Sequence, residues 1–272
     1  MKAHTLVIGF ILSMLLSPVL LAAPSAQYWA YWDSSNEGSY RSINHSEWDS
    51  ILSRYVVTQH ASGINRFRYG DVSKADRKRL QSYLAAMASV DPRQYRKLEQ
   101  KAYWMNLYNA LTVNLVIEHY PIKSVQDIKG RGFSKGPWNT SLVTIARQEL
   151  SLNDIEHRIL RPIWKDHKIL FGLACASLGC PNLQTQAFTA ENHGRLLKQT
   201  GRDFVNHQRG VSLSKGKLEA SSIFDWYQAD FAKSEKSLLK VFAHYSDDRQ
   251  ALYLLGFSGN IKFHHDWTLN AP

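Results

Sequence analysis

The chain has 272 residues, 44% of them hydrophobic and 12% aromatic, with eight Trp and eight Pro. That is ample for a packed core and excludes disordered, collagen-like and coiled-coil classes. Thirty-three basic against 23 acidic residues give a formal charge of +10, spread without any block of like charges, so the excess belongs to the surface rather than to a tail. Such a surface suits an anionic neighbour, a membrane surface or envelope polymer, and solubility explains it equally well.

Lys2 precedes an apolar run from Leu6 to Leu16, followed by Ser17-Pro18 and small residues ending at Ala22-Ala23. This order of features reads as a secretory leader over residues 1–23. Thr5 to Ala23 is also long enough for an uncleaved anchor, but Pro18 and the small residues after it favour cleavage. No later apolar run is long enough to span a membrane, so none is expected once the leader is removed. The remainder divides into an N-terminal extension, residues 24–45, and one domain, residues 46–270.

An aromatic lead-in (Tyr28, Trp29, Tyr31, Trp32) precedes a helix with Trp48, Ile51, Leu52, Tyr55 and Val56 at helical spacing. Ser73 followed by Asp76 is an N-cap with an acidic third residue, and Leu80, Tyr83, Leu84 and Met87 form the buried stripe of the helix it opens. After a turn at Asp91-Pro92, the longest helix is predicted from Arg93 to His119, stopping at Tyr120-Pro121. Glu99, Asn106 and Asn109 share one face of it with Ala102, Tyr103, Ala110, Val113 and Ile117. Trp104, Met105, Leu107, Leu111, Leu115 and Val116 cover the other sides, so the helix is central. Its three polar residues must find partners. They either tie down neighbouring loop backbone or orient a catalytic group.

The glycine-rich basic stretch Lys129 to Trp138 lacks the P-loop pattern. Lys129, Arg131 and Lys135 are then either a lid that meets an anionic substrate or a solvated connection. Short strands are predicted at Leu142 to Ala146, Ile169 to Ala174, Val211 to Leu213 and Ile261 to Phe263. Ser151 or Asn153 caps a short helix bearing Glu156 and His157. Helices follow over Thr189 to His207, Ile223 to Phe231 and Ser237 to Tyr245. The pattern is α+β, a helix-rich single domain around a small, mostly antiparallel sheet.

Phe171 to Pro181 holds both cysteines of the chain, Cys175 and Cys180. In an exported protein they pair as a disulfide, or one thiol is a nucleophile whose pKa is lowered by a histidine or by backbone N–H groups. For the second reading Cys175 is the nucleophile and His157, 18 residues upstream, the base. Glu99, Glu156, Asn106 or Asn109 orients its ring, and amides near Cys175 or Ser177 stabilise the oxyanion. A zinc site needs two further His. His264-His265-Asp266 offers adjacent side chains pointing to opposite faces of a strand, so neither metal nor cofactor is expected. Nucleic acid is excluded by the leader and by the diffuse charge.

Four blocks in order resemble the domain of unknown function family 547. They are Lys101-Ala-Tyr-Trp-Met-Asn-Leu-Tyr-Asn-Ala-Leu111, Leu152-Asn-Asp-Ile-Glu-His-Arg-Ile-Leu-Arg161, Phe171-Gly-Leu-Ala-Cys-Ala-Ser-Leu-Gly-Cys-Pro181 and His265-Asp-Trp-Thr-Leu-Asn270. A fifth, weaker block is Ser221-Ser-Ile-Phe-Asp-Trp-Tyr-Gln-Ala-Asp-Phe231. His265 departs from the pattern, which has Tyr before Asp-Trp. The resemblance points to Glu99, Asn106, Asn109, Glu156, His157, Cys175, Ser177, Cys180 and Asp266, and it leaves the activity open. A Cys, a His and an acid or amide are similar in kind to papain- and transglutaminase-like enzymes, a cysteine-hydrolase-like fold in which His157 before Cys175 requires a rearranged topology. Two functions are expected from different classes. One is an exported cysteine hydrolase or acyl transferase acting on an amide or thioester of a small molecule or peptide. The other is a non-catalytic periplasmic binding or scaffold domain, facing an anionic envelope polymer and braced by a Cys175–Cys180 disulfide.

Overall fold

The computed structural model describes residues 24–130 and 136–272. The leader, Arg131 and Lys135 lie outside the described residues. The helices are α1 Ser46–Tyr55, α2 Lys74–Ser89, α3 Lys97–His119, α4 Arg161–Trp164, α5 His193–Val205, α6 Ser222–Trp226, α7 Gln228–Phe231, α8 Glu235–Tyr245 and α9 Asp248–Gly256. The strands are β1 Val56–Val57, β2 Arg66–Phe67, β3 Val143–Ile145, β4 Gln148–Leu150, β5 Val211–Ser214, β6 Lys217–Ser221 and β7 Ile261–His264. The result is a helix-rich α+β domain.

Its larger core forms around α3, which is buried on every side from Glu99 to Val113, as a helix apolar all round must be. The helix starts at Lys97, after a short 3₁₀ turn at Pro92–Gln94 that the Asp91 side chain caps. Helices α1 and α2 pack beside it. The Ser73 hydroxyl accepts the Asp76 N–H at 3.1 Å, and the buried Asp76 carboxylate accepts from Tyr55 and Arg54 at 2.6 and 2.7 Å. Residues 24–45 are no loose extension. Trp32 is fully buried, edge-on to Trp104 of α3 with ring centroids 5.0 Å apart.

A second, smaller core lies between α5, α6, α8 and the three-stranded sheet. Strand β5 pairs antiparallel with β6 through a tight turn at Lys215-Gly216, and β7 joins β6 in parallel, with Ser221 opposite His264. Both turn residues have positive φ, 49° and 73°, the twist that a two-residue hairpin between right-twisted strands demands. The β1–β2 and β3–β4 pairs are antiparallel.

The predicted strand Ile169 to Ala174 is instead a 3₁₀ turn, His167–Phe171, capped by the Asp166 side chain. An all-buried apolar run fits either period. Here Asn109 takes the place of a neighbouring strand, donating from Nδ2 to the Gly172 carbonyl at 2.8 Å and accepting the Ala174 N–H at 2.7 Å. No helix among the described residues is long and apolar enough to cross a membrane.

Candidate active site

Two backbone segments build the site. The first, residues 172–180, leaves the 3₁₀ turn pinned by Asn109. The second, residues 265–270, follows β7 and runs back against it. Leu178 and Gly179 donate to the carbonyls of Thr268 and Asp266 at 2.8 Å, and Asn270 donates to that of Ala176 at 3.1 Å. Tyr69 anchors the tail from below by donating to Asn270 Oδ1 at 2.7 Å.

Between the segments the Cys175 and Cys180 sulfurs are joined as a disulfide, with Cα atoms 6.1 Å apart. Cys175 is partly exposed and Cys180 buried. Ala176 sits in the left-handed region at φ 57°, a strain of about 1–3 kcal/mol for a non-glycine residue. The amides of Cys175, Ala176 and Ser177 have no acceptor among the described residues. Ser177 lies in the middle. Its Oγ is 2.9 Å from Cys175 Sγ, 3.7 Å from Cys180 Sγ and 2.9 Å from His265 Nε2. Both sulfurs and an imidazole nitrogen of His265 fall within 4.8 Å of one another.

Aromatic rings wall this histidine. Trp267 and Trp226 approach it with centroids at 4.4 and 5.0 Å, and Trp138 meets Trp267 edge-on at 5.6 Å. Gly179 permits the approach, since a Cβ there would lie 2.8 Å from the His265 ring and from the Asp266 amide. Burial pushes the His265 pKa down to about 4; Asp266 opposes the shift, while His264 and Arg209 add to it. The ring is therefore neutral at physiological pH. Its Nδ1 has no partner among the described residues.

The residues expected from the sequence fall into three groups. Cys175, Ser177 and Cys180 are together. Asn106, Asn109 and Glu99 serve loop backbone: Asn106 makes a pair of bonds with Phe188, donating to its carbonyl and accepting its N–H at 2.8 and 2.9 Å. Glu99 accepts the Ile43 N–H at 3.3 Å, and burial raises its pKa. Neither amide orients a histidine. Glu156 and His157 lie in a π-helical turn, Asp154–Leu160, that Ser151 opens by accepting the Asp154 N–H at 3.1 Å. His157 Nδ1 is 2.9 Å from Arg161 Nη1, which also donates to the Pro24 carbonyl. Glu156 accepts the Tyr108 hydroxyl at 3.0 Å. No hydrogen bond joins His157 to the cysteine segment, and another imidazole stands beside Ser177. The structure puts His265 there, and Asp266 is exposed with its carboxylate on the Thr268 N–H at 2.9 Å. Lys129 is exposed.

Sequence reasoning weighed His265 only as one of an adjacent His pair and as a departure from the family pattern, and gave Trp138, Trp226 and Trp267 no role. The alternation that argued against a joint role for His264 and His265 is present, with His264 outward and His265 inward. One histidine suffices once it faces two cysteines. Its departure from the family pattern was the available signal.

Residues 92–205 match the family described as Protein of unknown function, DUF547. The chain carries a DUF547 segment. No curated protein matches the chain, and no solved structure does. The DUF547 segment contributes α3, the His157 turn and the cysteine segment. His265 and the flanking Trp226 and Trp267 come from the chain beyond it.

Proposed function

We propose that the protein is an exported thiol-dependent hydrolase or acyl transferase acting on amide or thioester carbonyls of small molecules or peptides. Cys175 is the nucleophile, His265 the base and Ser177 the relay between them. The observation that carries this reading is the unbroken chain from Cys175 Sγ through Ser177 Oγ to His265 Nε2, with 2.9 Å at each step. The closed Cys175–Cys180 pair is the resting form. A dithiol reductant opens it by thiol–disulfide exchange, leaving its own disulfide and two protein thiols. Export rests on the leader-like residues 1–23 and on a disulfide, which persists in an oxidising compartment.

In the reduced form the Cys175 thiol passes its proton to Ser177 Oγ while Ser177 passes its own to His265 Nε2. The thiolate attacks the carbonyl carbon, and the oxyanion meets the unpaired amides of Cys175, Ala176 and Ser177. Collapse expels the amine or thiol, which takes the proton from His265. Water or an acceptor amine then cleaves the acyl-enzyme, restoring the thiol. The rings of Trp226 and Trp267 pack against the imidazole. Intact mass of the reduced protein after an activated thioester is the test. One acyl group on the native chain and none on Cys175→Ala is expected. A reduced protein that takes up no acyl group, and whose thiols react with iodoacetamide no faster than a free cysteine, sinks the proposal.

A second reading has one observation in its favour. Asn106 and Asn109 are fully used on loop backbone, as in a periplasmic binding or scaffold domain where the disulfide is only a brace. It predicts no acyl-enzyme and a loss of stability on reduction.

A further inference from the structure

We infer that the reduced chain binds one soft divalent cation, with zinc as its representative, through Cys175 Sγ, Cys180 Sγ and His265 Nε2, and leaves a fourth position open. This inference stands apart from the hydrolase reading and competes with it for the same sulfur, because a metal-bound Cys175 is no longer a free nucleophile.

Both sulfurs and one imidazole nitrogen of His265 already lie within 4.8 Å of one another, and Nε2 is the nitrogen turned to Ser177 Oγ, which is itself near both sulfurs. Tetrahedral zinc, with bonds of about 2.3 Å to sulfur and about 2.0 Å to nitrogen, sets its donors roughly 3.5–4 Å apart. Parting the two sulfurs by that much needs only side-chain rotation about Cα atoms 6.1 Å apart. Two thiolates and an imidazole are a soft set, suited to zinc or cobalt and poorly suited to magnesium or calcium. The set is also held from both sides. The bonds from Leu178, Gly179 and Asn270 fix the His265 segment against the cysteine loop, so the ligands are prearranged before any metal arrives.

The same contacts define the fourth position. Asp266 is turned outward and occupied by the Thr268 N–H, and no other His, Cys, Asp or Glu joins the cluster among the described residues. Three protein ligands with a vacant fourth place are the arrangement of a zinc that binds water or substrate, not of a closed structural site. Ser177 Oγ, near both sulfurs and His265, is placed to hydrogen-bond whatever fills it. Among the described residues His265 Nδ1 has no partner, so none of them gives the imidazole the supporting acceptor behind most ligating histidines, and the site binds less tightly than one that has it. Metal capture releases a proton from each thiol, so affinity falls as the solution is acidified.

The experiment is anaerobic titration of the reduced full chain with cobalt(II), followed by absorption. A thiolate-to-cobalt charge-transfer band and intense visible bands of tetrahedral cobalt are expected, saturating at one equivalent and abolished by zinc. Cys175→Ser and Cys180→Ser each weaken the charge-transfer band. His265→Ala keeps that band and lowers affinity ~10-fold or more. The oxidised chain gives no band. Far-UV circular dichroism of each variant secures its fold, and Gly194→Ala, at a glycine with nothing within 4 Å of its added Cβ, serves as a control that titrates like the native chain. A reduced native chain giving only the faint spectrum of octahedral cobalt overturns the site, as does a native affinity retained in His265→Ala. Acylation of the metal-free reduced chain is scored separately, so either idea can fail while the other stands. Both holding predicts that one equivalent of zinc stops acylation.

Discussion

Two histidines, His157 buried and His265 half-buried, occupy opposite chemical settings. His157 lies among Arg161, Glu156, Asp230 and Tyr227, with its Nδ1 against a guanidinium and its ring tilted over Tyr227 at 6.0 Å. His265 meets one hydroxyl and two indole rings and keeps one nitrogen unpartnered among the described residues. Burial lowers the pKa of both. The difference lies in what each ring is free to do. His157 is fixed in a network in which moving a proton unpairs a buried charge, which is costly. His265 can take a proton from Ser177 without breaking any ion pair. A histidine in a conspicuous motif need not be the reactive one.

The strongest break of this comparison is a pair of substitutions. His265→Gln is expected to slow acylation by about 10²–10⁴-fold, the span of a general base, with little change in melting temperature. His157→Gln is expected to do the reverse, lowering stability while the folded fraction keeps its rate. Acylation rates normalised to the folded fraction decide it. A larger rate loss in His157→Gln would return the base to the position the motif suggested.

Arg161→Met separates the settings through stability. The guanidinium donates to Asp230 from Nε at 2.9 Å and to His157, and removing it leaves a mostly buried carboxylate unpaired, at a cost of about 3–5 kcal/mol. Because Arg161 helps to hold the His157 pKa down, the same change moves that pKa up and leaves His265 where it is. Urea unfolding and histidine NMR titration read the two effects.

The legible parts of this chain are those that local physics decides. The Ser73 cap, the all-round apolar α3 and the disulfide spacing each depend on residues within a few turns of one another. The roles of Asn106 and Asn109 were half legible. Their burial was plain, but the loops they satisfy lie 63 to 82 residues away. His265 reaches Ser177 across 88 residues, through a parallel strand pair that no local signal announces. Strand β6 and helix α9 were missed for related reasons. Lys215-Gly216 is a weaker turn signal than Asn-Gly, and α9 leaves Leu252, Tyr253 and Leu255 exposed, so its pattern has no clean buried stripe.

Acid sharpens the comparison more gently. His45 is buried against Tyr83 at 2.7 Å and its pKa is pushed down from 6.5 to about 4, alongside His265. Between those values the unfolded chain binds more protons than the folded one, so stability is complete above about 6.5 and falls as pH drops towards 4. His45 alone accounts for up to ~3 kcal/mol of that loss at 1.36 kcal/mol per unit. His45→Phe is expected to flatten the pH dependence of urea unfolding over this range, and His265→Gln to flatten it further. An unchanged slope in both would show that these rings already take up protons in the folded state.

The smallest effect concerns the bond between the cysteines. Closing so short a loop restricts the unfolded chain little, and the chain-entropy relation gives about 2 kcal/mol. The cysteine segment is meanwhile held independently by Asn109 and by the backbone bonds to residues 266–270. Reduction should therefore leave the fold intact and lower the urea midpoint only modestly, while exposing a thiol beside Ser177 and His265. The Cys175→Ser, Cys180→Ser double variant should show the same midpoint under oxidising and reducing conditions, matching the reduced native chain. If reduction instead unfolds the protein, the disulfide is what holds the two segments together. The pair is then a brace, and the contrast between His157 and His265 carries no catalytic meaning.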